Sequence, residues 1–245
     1  MRLARVRTAD GAVERGRYED GVVTLDDGTA VERTTDGDAV LLPPCDPSAV
    51  YCVGRNYAAT LDQMDYDRPD EPDWFIKPPV AVHPASAPVT SPAWTDELTY
   101  AGELAAVIGE PTRAIAPGDV DEAVEGYTVM NDLDALDQPG RTARKAFDGS
   151  APLGPAVATD VDPRDVAMET RVGGELRQEA RTSQMLFGID EVVSYLSHHV
   201  TLHPGDVVAF GSPANPGLVE PGETVEITYE GVGTLRNEVV AADGD

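Results

Sequence analysis

Apolar and polar positions along this chain follow two rhythms. Short runs such as Val22-Val23-Thr24-Leu25 and Val225-Glu226-Ile227-Thr228-Tyr229 lie between turn residues and carry β-branched side chains, which predicts strands. Leu98 to Ile108 and Val124 to Asn131 give longer strand signals. Residues 58–64 suggest a short helix. Ser183 to Ser197 carries apolar residues at 185, 186, 189, 192, 193 and 196, the spacing of an amphipathic helix. Asp10-Gly11, Asp20-Gly21, Asp27-Gly28 and Asp36-Gly37 punctuate the first 45 residues as hairpin signals. There is no βαβα alternation and no internal repeat. The pattern predicts an α+β fold dominated by strands, with a small N-terminal β-rich subdomain over residues 1–45 and a main body over 46–245.

Composition narrows the functional classes. The 245 residues include 44 acidic and 18 basic side chains, a formal charge of −26. Nucleic acid and anionic membrane surfaces both call for clustered Lys and Arg, so neither is an expected partner. The 41% hydrophobic content, spread along the chain, favours a packed globule over a disordered acidic segment. Many acids and almost no lysine suit a halophilic protein kept soluble by charge in concentrated salt, where screening shortens self-repulsion. Met1-Arg2-Leu3-Ala4-Arg5-Val6 has no signal-like apolar region, and no run approaches 18 apolar residues, so the expected location is cytoplasmic. Cys45 and Cys52 read as ordinary thiols in a reducing compartment.

The only lysines are Lys77, in Trp74-Phe75-Ile76-Lys77-Pro78-Pro79, and Lys145, in Arg144-Lys145-Ala146-Phe147-Asp148. An ammonium is a compact point donor that fits a pocket where a guanidinium fork does not. Glu103 stands among apolar neighbours in Thr99-Tyr100-Ala101-Gly102-Glu103-Leu104, and Asp132 ends the segment Gly126 to Asn131. Two acids at strand ends either converge on a hard divalent cation or belong to a solvated face. His198, His199 and His203 read as helix-end and turn residues, because the predicted helix stops near Ser197 and Pro204 follows.

From Tyr51 to about Val239 the chain resembles the fumarylacetoacetate hydrolase superfamily. Val53-Gly54-Arg55-Asn56-Tyr57 resembles its entry motif, and Phe75-Ile76-Lys77-Pro78 the strand that follows. Tyr100-Ala101-Gly102-Glu103-Leu104 and Gly126-Tyr127 through Asn131-Asp132 resemble its two metal-binding strands. Lys145-Ala146-Phe147-Asp148, Thr201-Leu202-His203-Pro204-Gly205-Asp206, Gly211-Ser212-Pro213 and Gly233-Thr234-Leu235-Arg236-Asn237 complete the ordered set. The resemblance implies a mixed β-roll, usually homodimeric. It implies an enzyme using Mg2+ or Mn2+ on a small 2-oxo or 1,3-dioxo acid through an enolate-like state. Glu103 and Asp132 would be metal ligands, and Lys145 the catalytic donor at the substrate oxygens. Arg55, Tyr57, Gly211 and Ser212 would contact substrate.

The departures bear on the reaction. The family's acid-x-acid strand has Ala101 at its first acid, and Thr60 and Gln63 stand where a water-activating His and Glu are usual. Leu136 replaces an arginine. Glu97, Asp62 and Asp134 are nearby in sequence and offer a rewired site. Chemistry that needs an enolate but no activated water, namely decarboxylation or tautomerisation, is less affected than hydrolysis. The alternative is a ligand-binding or oligomer-forming descendant that kept the fold and lost the reaction.

Overall fold

The computed structural model describes residues 1–32, 39–85 and 87–242. Two large sheets make up most of the described residues' β structure, and a small third one pairs Leu98–Tyr100 with Asp134–Ala135 and Gly217–Leu218. The larger runs in the order Ala30–Glu32, Val22–Leu25, Val13–Glu19, Arg2–Arg7, Ala151–Ala158, Val124–Asn131, Gly102–Ile108, Val207–Ala209, Val50–Gly54 and Asp73–Lys77. Val40–Leu42 adds to it beside Arg2–Arg7, and Val82–Pro84 beside Ala151–Ala158. The N-terminal strands are thus continuous with the main sheet, joined where Arg2 and Leu3 face Ala158 and Val157. A second sheet orders Glu175–Arg181, Ala167–Val172, Thr224–Tyr229, Gly233–Ala241 and Val89–Ser91. Few helices and mixed sheets make this an α+β fold.

Gly102–Ile108 is buried along its whole length, because apolar side chains cover both faces. Leu104, Ala106 and Ile108 enter one core with Val192, Val193, Leu196, Ile227 and Tyr229. Ala105 and Val107 enter a second with Cys52, Met130, Leu153 and Ala209. A strand covered on both sides reads as an unbroken apolar run, as this one does. At roughly 25 cal/mol per Å2 of buried apolar surface, each large side chain in these cores contributes about 2 kcal/mol.

Local signals translate unevenly. Asp20 and Gly21 take φ of 46° and 90°, the left-handed pair of a tight hairpin between Val13–Glu19 and Val22–Leu25. Gly11 and Gly28 also have positive φ, while Asp36-Gly37 lies outside the described residues. Ala58–Met64 is helical and Val124–Asn131 is a strand, at the expected bounds. The helix expected over 183–197 instead spans Ile189–His199, after a 3-10 turn at Thr182–Gln184. Met185 and Leu186 pack on the core without being helical, so their spacing mimicked one more turn. His198 and His199 are therefore inside the helix, and His199 stacks on Tyr195 with ring centroids 4.4 Å apart.

Candidate active site

Successive strand residues point to opposite faces, so Glu103 shares the face of Ala105 and Val107. Its cross-strand partner is Met130, and Gly102 faces Asn131. The strand signal expected from Leu98 to Ile108 is interrupted at Ala101, whose N–H donates to the Asn131 side chain at 3.0 Å. The Ala101 carbonyl accepts from the Asp132 N–H at 2.9 Å, which sets Asp132 next to Glu103 at the strand ends. Both carboxylates are buried. Gly102 allows the second sheet to close over this point, since a Cβ there would lie 2.5 Å from Thr170 Oγ1.

Both lysines of the chain meet Asp132. Lys77 Nζ, fully buried, lies 2.8 Å from Asp132 Oδ1 and donates to the carbonyls of Leu133 at 2.9 Å and Ser150 at 2.7 Å. Lys145 Nζ donates to Asp132 Oδ2 at 2.5 Å and lies 3.2 Å from Asp134 Oδ2. Arg144 closes the row with paired bonds of 2.7 and 2.6 Å to the Asp134 carboxylate. Next to it, Arg141 binds Asp73 through two bonds of 2.8 Å. Ser150 Oγ donates to the Lys145 carbonyl at 2.7 Å, fixing the end of the lysine helix Arg141–Lys145.

The electrostatics of this cluster are uneven. Burial and the neighbouring Asp132 charge push the Glu103 carboxyl up to about 8. Burial works against ionised Asp132 too, but Lys145 and Lys77 outweigh it and hold that carboxyl below its usual range. Burial lowers Lys77 despite Asp132. Lys145 moves up, because Asp132 and Asp134 overcome its burial. The result is an Asp132 carboxyl biased toward its charged form between two lysines, beside a Glu103 carboxyl biased toward its neutral form.

The remaining candidates form the wall or lie outside it. The Gly211 N–H donates to Glu103 Oε2 at 3.0 Å, the backbone having φ of 90°; an added Cβ would meet the Val53 carbonyl at 2.8 Å. Asn56, unassigned by sequence reading, sets that approach: its amide donates to the carbonyls of Phe210 at 2.8 Å and Phe187 at 3.1 Å. Tyr57 is buried with a hydroxyl that finds no hydrogen-bond partner among the described residues; burial, and then the Glu103 charge, push it up. Ser212 Oγ accepts from Gln178 Nε2 at 2.8 Å. Arg55 turns away from the carboxylates, over the Tyr66 ring at 4.5 Å and 3.7 Å from Asp73.

Thr60 and Gln63 act as ties. Thr60 Oγ1 donates to the Ser212 carbonyl at 3.1 Å, and Gln63 Oε1 accepts the Asn215 N–H at 2.7 Å. Of the three substitute acids, Asp134 joins the cluster, whereas Asp62 and Glu97 are exposed. Leu136 is exposed as well. Arg141 and Arg144 were missed by motif reading; their place in the same five-residue helix as Lys145, Arg144 next to it and Arg141 one turn before it, is the signal that could have found them.

The buried acids bear on whether a divalent cation could sit here. Glu103 and Asp132 offer only oxygen, which suits a hard ion. Asp132 Oδ1 is buried and, among the described residues, receives no directed hydrogen bond, its contact with Lys77 at 2.8 Å being ionic. Glu103 is destabilised as an anion by Asp132, a repulsion that a cation between them would relieve. Ala101 contributes nothing, and no group of three or more ligating side chains converges among the described residues. The residues therefore fit a divalent ion held by two protein ligands, with the remaining positions left to water and substrate.

The family profile described as fumarylacetoacetate (FAA) hydrolase, C-terminal, matches residues 49–240. This chain belongs to the fumarylacetoacetate hydrolase family. A solved structure of 5-carboxymethyl-2-hydroxymuconate delta-isomerase from Mycobacterium smegmatis is 39% identical with a TM-score of 0.89, each chain covered in full. Fumarylpyruvate hydrolase from Pseudomonas aeruginosa, solved with Mn2+ and pyruvate, is 38% identical with a TM-score of 0.76; the likeness covers 80% of this chain and 91% of that one. The mitochondrial oxaloacetate tautomerase of Bos taurus is 34% identical over 200 residues, 78% of this chain and 90% of the relative. Members of this family thus include isomerases, hydrolases and tautomerases of small organic acids. No helix among the described residues is long and apolar enough to cross a membrane.

Proposed function

We propose that this protein is a metal-assisted enzyme that drives a small 2-oxo or 1,3-dioxo acid through an enolate-like state, by tautomerisation or decarboxylation and not by hydrolysis. One observation carries the reading: Lys145, at the edge of the buried cluster, is ion-paired with Asp132, whose charge also acts on the buried Glu103 carboxyl. Glu103 and Asp132 would hold Mg2+ or Mn2+, and the ion would supply Lewis-acid polarisation of the oxo oxygen. Lys145 donates to the oxygen on which negative charge grows. Asp132 and Asp134 keep its ammonium charged, so the donor is in place before charge develops. Burial of the cluster strengthens that interaction by excluding water.

In decarboxylation the bond to the leaving carboxylate breaks, its electron pair passes to the enolate, CO2 departs, and the enolate carbon takes a proton from water. In tautomerisation a proton leaves the acidic carbon next to the carbonyl for a solvent water, and a proton from water is added to the enolate oxygen. Neither route needs the activated water that Thr60 and Gln63 are unable to generate. The relative solved with Mn2+ and pyruvate supports both the ion and the size of the ligand.

The test is an oxaloacetate assay with Mn2+, following enol–keto conversion and CO2 release, beside an acylpyruvate hydrolysis assay. Turnover in the first and none in the second is expected. Lys145→Ala is expected to lower turnover about 10²-fold, or roughly 3 kcal/mol of transition-state stabilisation. Full activity in that variant, or faster hydrolysis than decarboxylation, sinks the reading. The use of Thr60 and Gln63 as loop ties favours a second reading, a binding protein without turnover. Absence of Mn2+ binding together with absence of turnover would select it.

A further inference from the structure

An ammonium has three N–H donors and no acceptor. Lys77 is enclosed by protein: its ammonium donates to the Leu133 and Ser150 carbonyls, Asp132 Oδ1 lies 2.8 Å away as an ion pair, and its side chain has no exposure. It is therefore unable to touch a ligand. Lys145 differs. Its polar neighbours among the described residues are the two carboxylate oxygens of Asp132 and Asp134, and its side chain is 14% exposed. Each of those acids has a second cation of its own, Lys77 on Asp132 and Arg144 on Asp134. Lys145 is held in position by two acids whose charge is already shared.

We propose that Lys77 and Arg144 are positioning residues that take up the charge of Asp132 and Asp134, so that the third N–H of Lys145 is free for an anionic oxygen of the ligand. The arrangement rests on the reading of Lys145 given under the proposed function, and it adds a consequence that turnover alone does not reveal. The same two cations weaken the pull of the aspartates on a divalent ion, because like charges repel across a few ångström in a poorly screened interior. Lys77 and Arg144 thus favour the anion and disfavour the metal. A purely architectural pair would affect both ligands in the same direction.

Lys77→Met shortens the unbranched side chain by one atom and removes the charge. The experiment measures two affinities by calorimetry on wild type and variant. Oxalate, a compact mimic of a chelating enolate, is added to EDTA-treated protein, and MnCl2 is added separately to protein without oxalate. Wild type is expected to bind oxalate without metal. Lys77→Met is expected to weaken oxalate about tenfold and to tighten Mn2+ several-fold. Arg144→Met, whose side chain is more exposed than that of Lys77, is expected to show the same opposite signs even if Lys77→Met does not fold. Both affinities falling together, both unchanged, or no oxalate binding by metal-free wild type overturns the proposal. Failure of the oxo-acid assay would refute the proposed reaction, while these two affinities would still decide the roles of Lys77 and Arg144.

Discussion

The floor and the wall of the site are built on opposite principles. The floor, formed by Lys77, Asp132, Lys145 and Asp134, is a chain of buried ions. The wall, where Thr60 meets Ser212 and Gln63 meets Asn215, is made of neutral hydrogen bonds. Buried ions are expensive to assemble, and removing one partner leaves the other uncompensated. Neutral ties near the surface contribute about 1 kcal/mol each. The chain thus concentrates charge in the buried floor and leaves the wall neutral, the division that the proposed reaction calls for.

The sharpest way to break this contrast is Asp132→Asn. It leaves Lys77 without a counter-ion inside the fold and takes one of two partners from Lys145. A loss of about 4 kcal/mol in urea unfolding is expected. A loss under 1 kcal/mol would mean that the floor is not an ionic unit.

Glu103 gives the next effect, and its sign follows from proton linkage. Its carboxyl ordinarily titrates at 4.5, and in the folded protein it is raised to about 8. The unfolded chain therefore gives up this proton first. Metal-free stability falls as pH rises from about 4.5 to about 8, and the contribution is fully present below that window. Glu103→Gln is expected to remove this slope, gaining on the order of 3 kcal/mol over wild type at pH 9. Mn2+ should displace the same proton, so its affinity for wild type should climb with pH up to about 8. Parallel stability curves for wild type and Glu103→Gln would show that the acid is solvated.

The smallest effect belongs to the wall. Gln63→Ala is expected to destabilise by about 1 kcal/mol and to change turnover less than threefold, because Gln63 is a tie to the Asn215 backbone. A hundredfold fall in rate would instead make Gln63 part of the chemistry and erase the difference between floor and wall.

Legibility followed the same division. Val124–Asn131 and Ala58–Met64 could be read from local pattern, since a continuous apolar run and a short helical spacing are properties of neighbouring residues. The order of motifs pointed to the family and named Glu103, Asp132 and Lys145 as candidates. Ala101, Thr60 and Gln63 were visible as departures, but their consequences were not. Thr60 bonds to a loop 152 positions away, and Arg144 came into view only once Asp134 was placed beside it. The helix start at Ile189 was misplaced because Met185 and Leu186 are held by core contacts, which imitate helical spacing without helical hydrogen bonds.

Sequence alone determined the strand-rich fold, the family, the extreme acidity, and the rarity of lysine that made Lys77 and Lys145 conspicuous. Only the folded chain decided that both ammonium groups close on one carboxylate, that one has no access to solvent, and that Glu103 sits beside Asp132. Local pattern is set by neighbours along the chain, whereas ion pairing, burial and proton affinity depend on groups brought together from distant segments.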